Sequence, residues 1–280
     1  MDAHKIKLLL TIIIISIISL TGCLDSFESI KIKIDENEHS NPNADIDTEK
    51  DISIACWNLQ IFGLSKARNE SLLSYYHSKL STFDIFIIQE IRDASGTAIE
   101  TFAELFHNHT HIISKRAGKT SSKEQYAIFY NEKLTLLNYN DFTDEHQAEI
   151  NRPPLQATFK CNNLTFTIFT IHTDPDDVYN ELSTFEEITS TSSIDSIIIG
   201  DLNADGAYYD ESNKNHFLNW YWILPDYIDT TVASSDNTYD RIIINEKMKN
   251  NIISYGVMDK VTQSQSDHYM IYATINTEEP

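Results

Sequence analysis

The 280-residue chain is poor in positive charge, with 21 lysine and arginine residues against 42 aspartate and glutamate residues and a formal net charge of −21. A surface of this sign repels polyanions on average, so composition alone argues against a nucleic-acid partner. To bind such a protein, a phosphate-bearing substrate would need a local cluster of basic side chains or bridging cations.

Cysteine is also scarce, because the chain has only Cys23, Cys56 and Cys161. Cys56 lies inside an apolar run and Cys161 beside a predicted turn, so both are most simply interpreted as buried thiols. A disulfide between them is chemically possible outside the cytoplasm, but their spacing does not support one. No spacing of cysteine and histidine in the chain indicates a zinc site.

The apolar run Leu8 to Leu20 has 13 residues and is shorter than the ~20 that an ordinary membrane span needs. Two lysines precede it and the sequence LTGC follows it, an ending that resembles a prokaryotic lipobox. We predict that residues 1–22 are a lipoprotein signal peptide and that Cys23 is lipidated as the first mature residue. The expected location is extracytoplasmic and membrane-anchored in the cell envelope; plain secretion or an uncleaved anchor are the alternatives.

Residues 23–50 are acidic and polar and predict a solvated tether, although their SIKIKI sequence could form a stray strand. Residues 51–280 suffice for one large domain with a sizeable core and show no internal repeat. The strand-like segments are ISIACWNL, IFIIQE, YAIFY, LQATF, LTFTIFTIH, SIIIGDLN, RIIIN and HYMIYATI; the helix-like segments are Glu70 to Leu80, Thr97 to Phe106, Asn180 to Thr191 and Lys214 to Trp222. Many strands broken by a few helices predict a mixed sheet with outer helices.

The stretch Ile197 to Asp205 reads IIIGDLNAD and organises the functional prediction. Its apolar residues indicate a strand buried on both faces, and we expect Gly200 to end it. Asp201, Asn203 and Asp205 then alternate along the following loop. Two carboxylates and an amide offer hard oxygen ligands for a divalent cation or acceptors for a positioned water. The alternative is a turn rich in aspartate and asparagine that simply closes the strand.

Polar residues of the same kind adjoin other strand-like segments. They are Asn58, Gln89 with Glu90, His172, Asp240 with Arg241, and Asp267 with His268. Taken singly, each has an ordinary structural interpretation as a turn residue, a locally satisfied histidine or a solvated side chain. Taken together, strand ends that gather histidines, carboxylates and asparagines predict a site that binds a divalent metal and activates water.

The motifs WNLQ, QE, IH, GDLNAD, YDR and SDH together resemble the endonuclease/exonuclease/phosphatase superfamily, and within it the deoxyribonuclease I family. The resemblance runs from Ile52 to about Thr274, and its most specific part is WILPDYIDTTVASSDNTYDRIII. It implies an α/β (α+β) four-layer sandwich, in which two packed mixed sheets are flanked by helices. It also implies hydrolysis of phosphodiester bonds in double-stranded DNA to 5′-phosphate ends, with Mg²⁺ and Ca²⁺ as cofactors.

The resemblance also implies roles for individual residues. Glu124 with His172, and Asp240 with His268, match two acid–imidazole pairs, which suit proton transfer because the carboxylate fixes the tautomer of the ring. Which imidazole serves as acid and which as base stays open. The remaining matches are Asp201 and Asn203 at the catalytic centre; Asn58, Glu90, Asp267, Asp229 and Thr231 as metal-binding residues; and Arg92, Arg152, Tyr208 and Tyr239 as substrate contacts.

Several positions depart from the family pattern. Gly206 and Asn237 occupy the places of one family disulfide, and no cysteine lies near residues 140–151 for the other. Ala233 and Ser235 replace threonines of the calcium site, and Ser122 and Gln60 replace two DNA contacts, while Lys119 and Lys123 remain nearby. These changes leave the expected chemistry intact but bear on DNA affinity and site preference.

Two further functions compete with a lipid-anchored endonuclease. One is a phosphodiesterase of the same superfamily that acts on phospholipid head groups or nucleotides. The other is a catalytically inactive binding module, against which the complete set of expected side chains argues. We expect a monomer whose partners are double-stranded DNA and, through Cys23, the membrane. We do not expect actin binding, because His111 replaces an aromatic contact position.

Overall fold

The computed structural model describes residues 50–278 of the chain. The predicted signal peptide, the lipidation site Cys23 and the tether up to residue 49 lie outside the described residues. None of the helices within residues 50–278 combines the length and the hydropathy required to span a membrane.

Most of the described chain is extended. The strands are β1 (Asp51–Phe62), β2 (Ile85–Ile91), β3 (His109–Ile113), β4 (Gln125–Asn131), β5 (Thr135–Asp141), β6 (Leu155–Cys161), β7 (Leu164–Thr170), β8 (Asp195–Asp201), β9 (Tyr221–Trp222), β10 (Asp240–Ile244), β11 (Ile252–Met258) and β12 (Met270–Asn276). The helices are α1 (Leu64–Ala67), α2 (Glu70–Leu80), α3 (Thr97–Ala103), α4 (Thr143–His146) and α5 (Val178–Ser190), with short 3₁₀ helices at Glu211–Asn213 and Glu246–Asn251.

The strands form two six-stranded sheets. The first has the order β11-β12-β1-β2-β4-β3 and the second β5-β6-β7-β8-β10-β9. One neighbouring pair in each sheet is parallel, β1 with β2 and β7 with β8, while the other pairs are antiparallel. Two mixed sheets with outer helices confirm the predicted four-layer sandwich.

Side chains on successive residues of β1 point to opposite faces of its sheet, and this alternation separates the layers. Ile54 and Cys56 join the apolar cluster between the sheets, where they share a core with side chains of the second sheet such as Ile168. Ala55 and Trp57 instead join the cluster in which α2 and α3 pack against the first sheet. A third cluster buries α5 against the outer face of the second sheet. Cys56 and Cys161 are both buried and free.

The two sheets are tied together beside the candidate site by Gln89 of β2. Its Nε2 donates to the carbonyl of Ile171 at 2.8 Å, and its Oε1 accepts from the backbone N–H of Asp201 at 3.0 Å. Gly200 permits this approach, because a Cβ there would lie 2.4 Å from the Ile171 carbonyl oxygen and 2.8 Å from Gln89 Nε2. The glycine is therefore a packing requirement. It does not end β8 as predicted, since the strand runs on to Asp201 and pairs with β10 there.

The predicted helix over Lys214 to Trp222 is wrong. The segment is irregular up to its last two residues, which form β9 and pair with β10. Tertiary contacts override the local pattern: the N–H of Phe217 donates to Glu186 on α5 at 2.8 Å, with Phe217 at a φ of 54°. His216 is buried between Ser183 of α5 and Tyr209.

Candidate active site

The candidate active site lies where the two sheets bring their polar strand ends together. Each residue is positioned by a different element, so the group is distant in sequence and close in space. Its members are Asn58 on β1, Glu90 on β2, Glu124 just before β4, His172 just after β7, Asp201 at the end of β8, Asp240 at the start of β10, and His268 just before β12. All seven are buried.

The first acid–imidazole pair joins Glu124 and His172. Nδ1 of His172 lies 3.0 Å from Glu124 Oε2, while Glu124 Oε1 accepts a hydrogen bond from Arg92 at 2.7 Å and lies 3.5 Å from Arg152. Burial alone would raise the pKa of Glu124, but the hydrogen bond and positive charges around it hold that pKa below its usual value. Glu124 is therefore ionised near neutral pH and can orient the imidazole.

The backbone of His172 is held by two side chains. The hydroxyl of Tyr126 accepts from the His172 N–H at 2.9 Å and donates to the carbonyl of Arg152 at 2.7 Å. Nε of Arg152 donates in turn to the His172 carbonyl at 2.8 Å, and its Nη2 to the Thr173 carbonyl at 2.6 Å. Arg152, predicted as a substrate contact, is largely buried in these bonds, with a side chain 11% exposed. Its contact with substrate stays a prediction.

The second pair joins Asp240 and His268. Nδ1 of His268 lies 2.7 Å from Asp240 Oδ2. Its backbone N–H donates to Ser266 Oγ, and its carbonyl accepts from the indole N–H of Trp57. Burial opposes the charged imidazole, but Asp240 and Asp201 outweigh it and raise the pKa of His268 to about 10. Burial raises the pKa of Asp240 despite its imidazole partner.

Asp201 lies between the two pairs. Its Oδ2 is 3.3 Å from Nε2 of His172 and 3.5 Å from Nε2 of His268. The same oxygen accepts from Asn58 at 3.1 Å, and Oδ1 accepts from the N–H of Asn203 at 3.1 Å. Burial would raise the pKa of Asp201, but the two imidazoles and these hydrogen bonds lower it below its usual value. An ionised carboxylate thus faces both imidazoles.

Glu90 completes the site on the side of the first pair. Its Oε1 accepts from Asn58 at 3.1 Å, its Oε2 accepts from the N–H of Ile61 at 2.8 Å, and Arg92 lies 3.1 Å from Oε2. Glu90 itself has a φ of 61°, a strained value for a residue other than glycine. Outliers of this kind are characteristic of functional sites, and here the bend turns the carboxylate into the site.

The donor set fits a divalent cation. Glu90, Glu124 and His172 place potential ligand atoms within 4.8 Å of one another, and so do Asp201, Asp240 and His268. Oδ1 of Asp240 and Oδ1 of Asp267 are buried acceptors without a hydrogen-bond partner among the described residues. Carboxylate oxygens with one imidazole suit Mg²⁺ and related hard cations more than zinc-type thiolate chemistry.

Other predicted site residues lie around this centre. Asn203 is buried, has a φ of 46° and donates to the Thr173 carbonyl at 3.0 Å. Oδ2 of Asp267 accepts from Gln60 at 2.9 Å. Tyr208 and Tyr239 form an aromatic pair with ring centroids 5.3 Å apart. Their functional roles stay predictions.

The predicted calcium-binding residues Asp229 and Thr231 lie on a neighbouring loop. Oδ1 of Asp229 accepts from the N–H and hydroxyl of Thr231, both at 2.9 Å, and from the N–H of Asn237. Thr231 also forms an isolated β-bridge with His268, so the loop braces the second imidazole. Gly206 and Asn237, which occupy the positions of a family disulfide, are in contact, since a Cβ on Gly206 would lie 2.6 Å from Asn237 Oδ1.

Two supporting residues were not predicted from the sequence. Tyr126 holds the backbone of His172. Ser266 joins strand β1 to the backbone of His268, because its hydroxyl donates to the Asn58 carbonyl at 2.6 Å and accepts from the His268 N–H. A buried tyrosine needs a partner for its hydroxyl, so Tyr126, two residues after Glu124 in an apolar run, was the one available signal. Nothing in the local sequence distinguishes Ser266. Asp205 is buried and accepts hydrogen bonds from the backbone N–H groups of Gly206 and Thr238.

Comparison with known proteins agrees with this geometry. The profile of the Endonuclease/Exonuclease/phosphatase family matches residues 55–268, and the chain belongs to that family. It is a deoxyribonuclease I-like member of the superfamily and a hydrolase. Deoxyribonuclease-1 of Bos taurus is 24% identical over 259 residues, which cover 80% of this chain and 92% of that protein.

Solved structures share the fold at lower identity. D. rerio TDP2 in complex with a single-strand DNA product is 16% identical, with a TM-score of 0.61 over 81% of this chain and 99% of that one. The mannosyl-6-phosphatase of Bacteroides thetaiotaomicron is also 16% identical, with a TM-score of 0.58 over 79% of this chain and 98% of that one. The family is dependent on divalent metals, in keeping with the two ligand clusters.

Proposed function

We propose that this protein is an endonuclease that hydrolyses phosphodiester bonds of double-stranded DNA to 5′-phosphate ends, with Mg²⁺ and Ca²⁺ as its cations. One observation carries the proposal: two imidazoles, each fixed through Nδ1 by a buried carboxylate, direct Nε2 towards the same carboxylate, Asp201. Two proton-transfer groups that face one point match a displacement at phosphorus, in which water loses a proton and the leaving oxygen gains one.

The residues of the chain divide the work as follows. Hydrogen bonds to Glu124 and Asp240 fix the proton on Nδ1 of each ring, which leaves Nε2 of His172 and His268 to accept or donate a proton. Asn58 donates from Nδ2 to both Glu90 and Asp201 and so holds the two halves of the site together. A divalent cation held by Glu90 and its neighbours would offset the negative charge that develops on the phosphate.

A DNA substrate must be reconciled with the net charge of −21. Arg92 lies at the rim of the centre with its side chain 28% exposed, and Lys119 and Lys123 are on the hairpin that leads to Glu124. This local basic group, together with bound cations, supplies the attraction that the whole surface lacks. The relatives named deoxyribonuclease-1 favour DNA over other phosphodiesters.

Nicking of supercoiled plasmid by the full-length protein tests the proposal. We expect relaxed and then linear product with Mg²⁺ or with Mg²⁺ and Ca²⁺, and none with chelator. Parallel assays would use a phosphocholine diester, a nucleotide and a sugar monophosphate as substrates. Turnover of one of these without plasmid nicking would replace the DNA proposal by the phosphodiesterase or phosphatase alternative.

We further propose that the enzyme is extracytoplasmic and anchored through lipidated Cys23. The support is the 13-residue apolar run followed by LTGC. A doubly or triply acylated cysteine would anchor the chain stably, because one acyl chain binds a membrane only marginally. Cys23→Ser should abolish labelling by a palmitate analogue and release the protein from the membrane fraction. Unchanged retention and electrophoretic mobility would contradict the anchor.

A further inference from the structure

Strand β1 contains a strained bend beside the candidate site. Gln60 and Ile61 have φ values of 44° and 54°, in the left-handed region that favours glycine. The pairing with β2 jumps there from Asn58 opposite Gln89 to Phe62 opposite Ile91, so the bend bulges out of the sheet. A β-branched residue at positive φ is a genuine outlier, because its Cβ branches crowd the backbone.

The backbone of the bend donates hydrogen bonds to side chains of the candidate site. The N–H of Ile61 donates to Glu90 Oε2 at 2.8 Å, and the N–H of Gln60 donates to Asn58 Oδ1 at 2.9 Å. Both bonds orient candidate metal ligands. Glycine or asparagine at position 61 would provide the same N–H with less strain. These hydrogen bonds therefore explain why the backbone bends here. They do not explain why the residue at position 61 is isoleucine.

The side chain of Ile61 also contributes little to the core. It is 56% exposed, whereas its neighbours Leu59 and Phe62 are fully buried. The backbone of Ile61 lies near Arg92, because the Ile61 N–H and the guanidinium of Arg92 both contact Glu90 Oε2. An exposed aliphatic residue therefore neighbours Arg92 at the edge of a centre built from charged and polar groups.

We propose that Ile61 is a substrate contact that packs against the sugar walls of a DNA minor groove beside Arg92. The inference rests on the proposed DNA substrate. Isoleucine is among the apolar side chains that proteins insert into the minor groove, and such contacts respond to groove shape more than to base identity. Ile61 then determines how the enzyme holds a duplex, without taking part in proton transfer.

The test compares Ile61→Asn with the wild type on two substrates: a linear duplex and the small diester bis(4-nitrophenyl) phosphate. Asparagine tolerates the left-handed conformation, so the fold should be kept or stabilised. We expect the ratio of the duplex KM to the small-diester KM to rise about fivefold, the scale for losing part of the burial of one aliphatic side chain. The cleavage pattern along an end-labelled duplex should become more even.

Two control variants define the result. Ile61→Val keeps an apolar β-branched contact and should retain wild-type KM. Ile253→Asn makes the same chemical change at an exposed isoleucine of β11, which pairs with the end of β12 remote from His268, and should have no effect.

Duplex kinetics equal to wild type in Ile61→Asn would overturn the contact. An equal loss on both substrates would overturn it as well, because only the bond to Glu90 would then matter. If the wild type hydrolyses the small diester but not the duplex, the proposed function fails and this inference fails with it. An active wild type with an unaffected variant rejects the inference alone.

Discussion

The guanidinium of Arg92 donates to Oε1 of the buried Glu124 at 2.7 Å and lies 3.1 Å from Glu90 Oε2. Both carboxylates belong to the ligand cluster completed by His172. The side chain predicted to contact DNA is therefore also a positive charge inside a candidate metal site. A divalent cation and Arg92 compete for the same two carboxylates, because each lone pair can serve one of them at a time.

Arg92→Met should therefore bind Mg²⁺ more tightly in the absence of DNA. We expect Kd to fall by about tenfold (~1.4 kcal/mol), a fraction of the ~4 kcal/mol by which two unit charges ~4 Å apart interact near a protein surface. Isothermal titration calorimetry measures the change. Arg68→Met, at the end of α1, is the matched control and should leave Kd unchanged. An unchanged or weaker affinity in Arg92→Met would show that the cation does not use Glu90 and Glu124.

His172→Ala and His268→Ala should each slow plasmid nicking by roughly 10²–10⁴-fold, the usual contribution of one general acid or base. The two imidazoles are held by different carboxylates, so neither should replace the other. Circular dichroism and thermal melts would verify folding, and His77→Ala on the exposed side of α2 provides the control. Near-native rates in both variants with cation present would exclude the two-imidazole mechanism.

We expect the buried side chain of His216 to lower the free energy of unfolding in acid. Burial lowers the pKa of His216, whose Nε2 lies 3.0 Å from Ser183 Oγ and whose Nδ1 lies 3.1 Å from the Tyr209 hydroxyl. The unfolded chain, with an ordinary pKa of about 6.5, then takes up the proton first. The contribution of His216 to the free energy of unfolding is therefore fully present above about pH 6.5. It falls as the pH drops towards the pKa of His216 in the folded protein, by at most about 1.4 kcal/mol per pH unit.

Urea unfolding at a series of pH values between 7.5 and 5 measures this effect. His216→Gln should lower the free energy of unfolding at pH 7.5 but show a flatter dependence on pH than the wild type. His77→Gln, on an exposed helix surface, should leave the wild-type dependence intact. Parallel curves for the wild type and His216→Gln would show that His216 does not cause the acid effect.

Gly200→Ala should destabilise the protein by about 1–3 kcal/mol, because the new methyl group would meet the Ile171 backbone and also the Gln89 side chain, which is held in place by its own hydrogen bonds. The nearest atom is the Ile171 carbonyl oxygen at 2.4 Å, and relief would push apart the two sheets where Gln89 joins them. Nicking should fall as well, since Asp201 is the next residue. In Gly63→Ala the nearest atom is 4.0 Å away, so this variant should be tolerated. Equal melting temperatures for the two variants would refute the packing argument.

The strands missed by sequence analysis share one physical property. β3, β5, β9 and β11 are the four edge strands of the two sheets, and their residues are partly exposed. An edge strand packs on fewer neighbours, so it can carry polar residues and lose the apolar pattern that identifies an inner strand. The predicted helix at Lys214 to Trp222 is wrong because an apolar pattern was present but did not come from a helical face. The residues of this segment contact α5 and β10 instead.

The inner strands, the helix Glu70–Leu80 and the candidate residues at strand ends were determined by the sequence itself, because apolar periodicity and polar strand ends are local properties of the chain. Which oxygen faces which nitrogen was decided only by the tertiary structure. Three such features join residues from different strands. They are the position of Asp201 between two imidazoles, the contacts of Arg92 with Glu90 and Glu124, and the strained bend at Ile61. Such contacts depend on how two sheets pack, and packing is a property of the whole chain that no local pattern encodes.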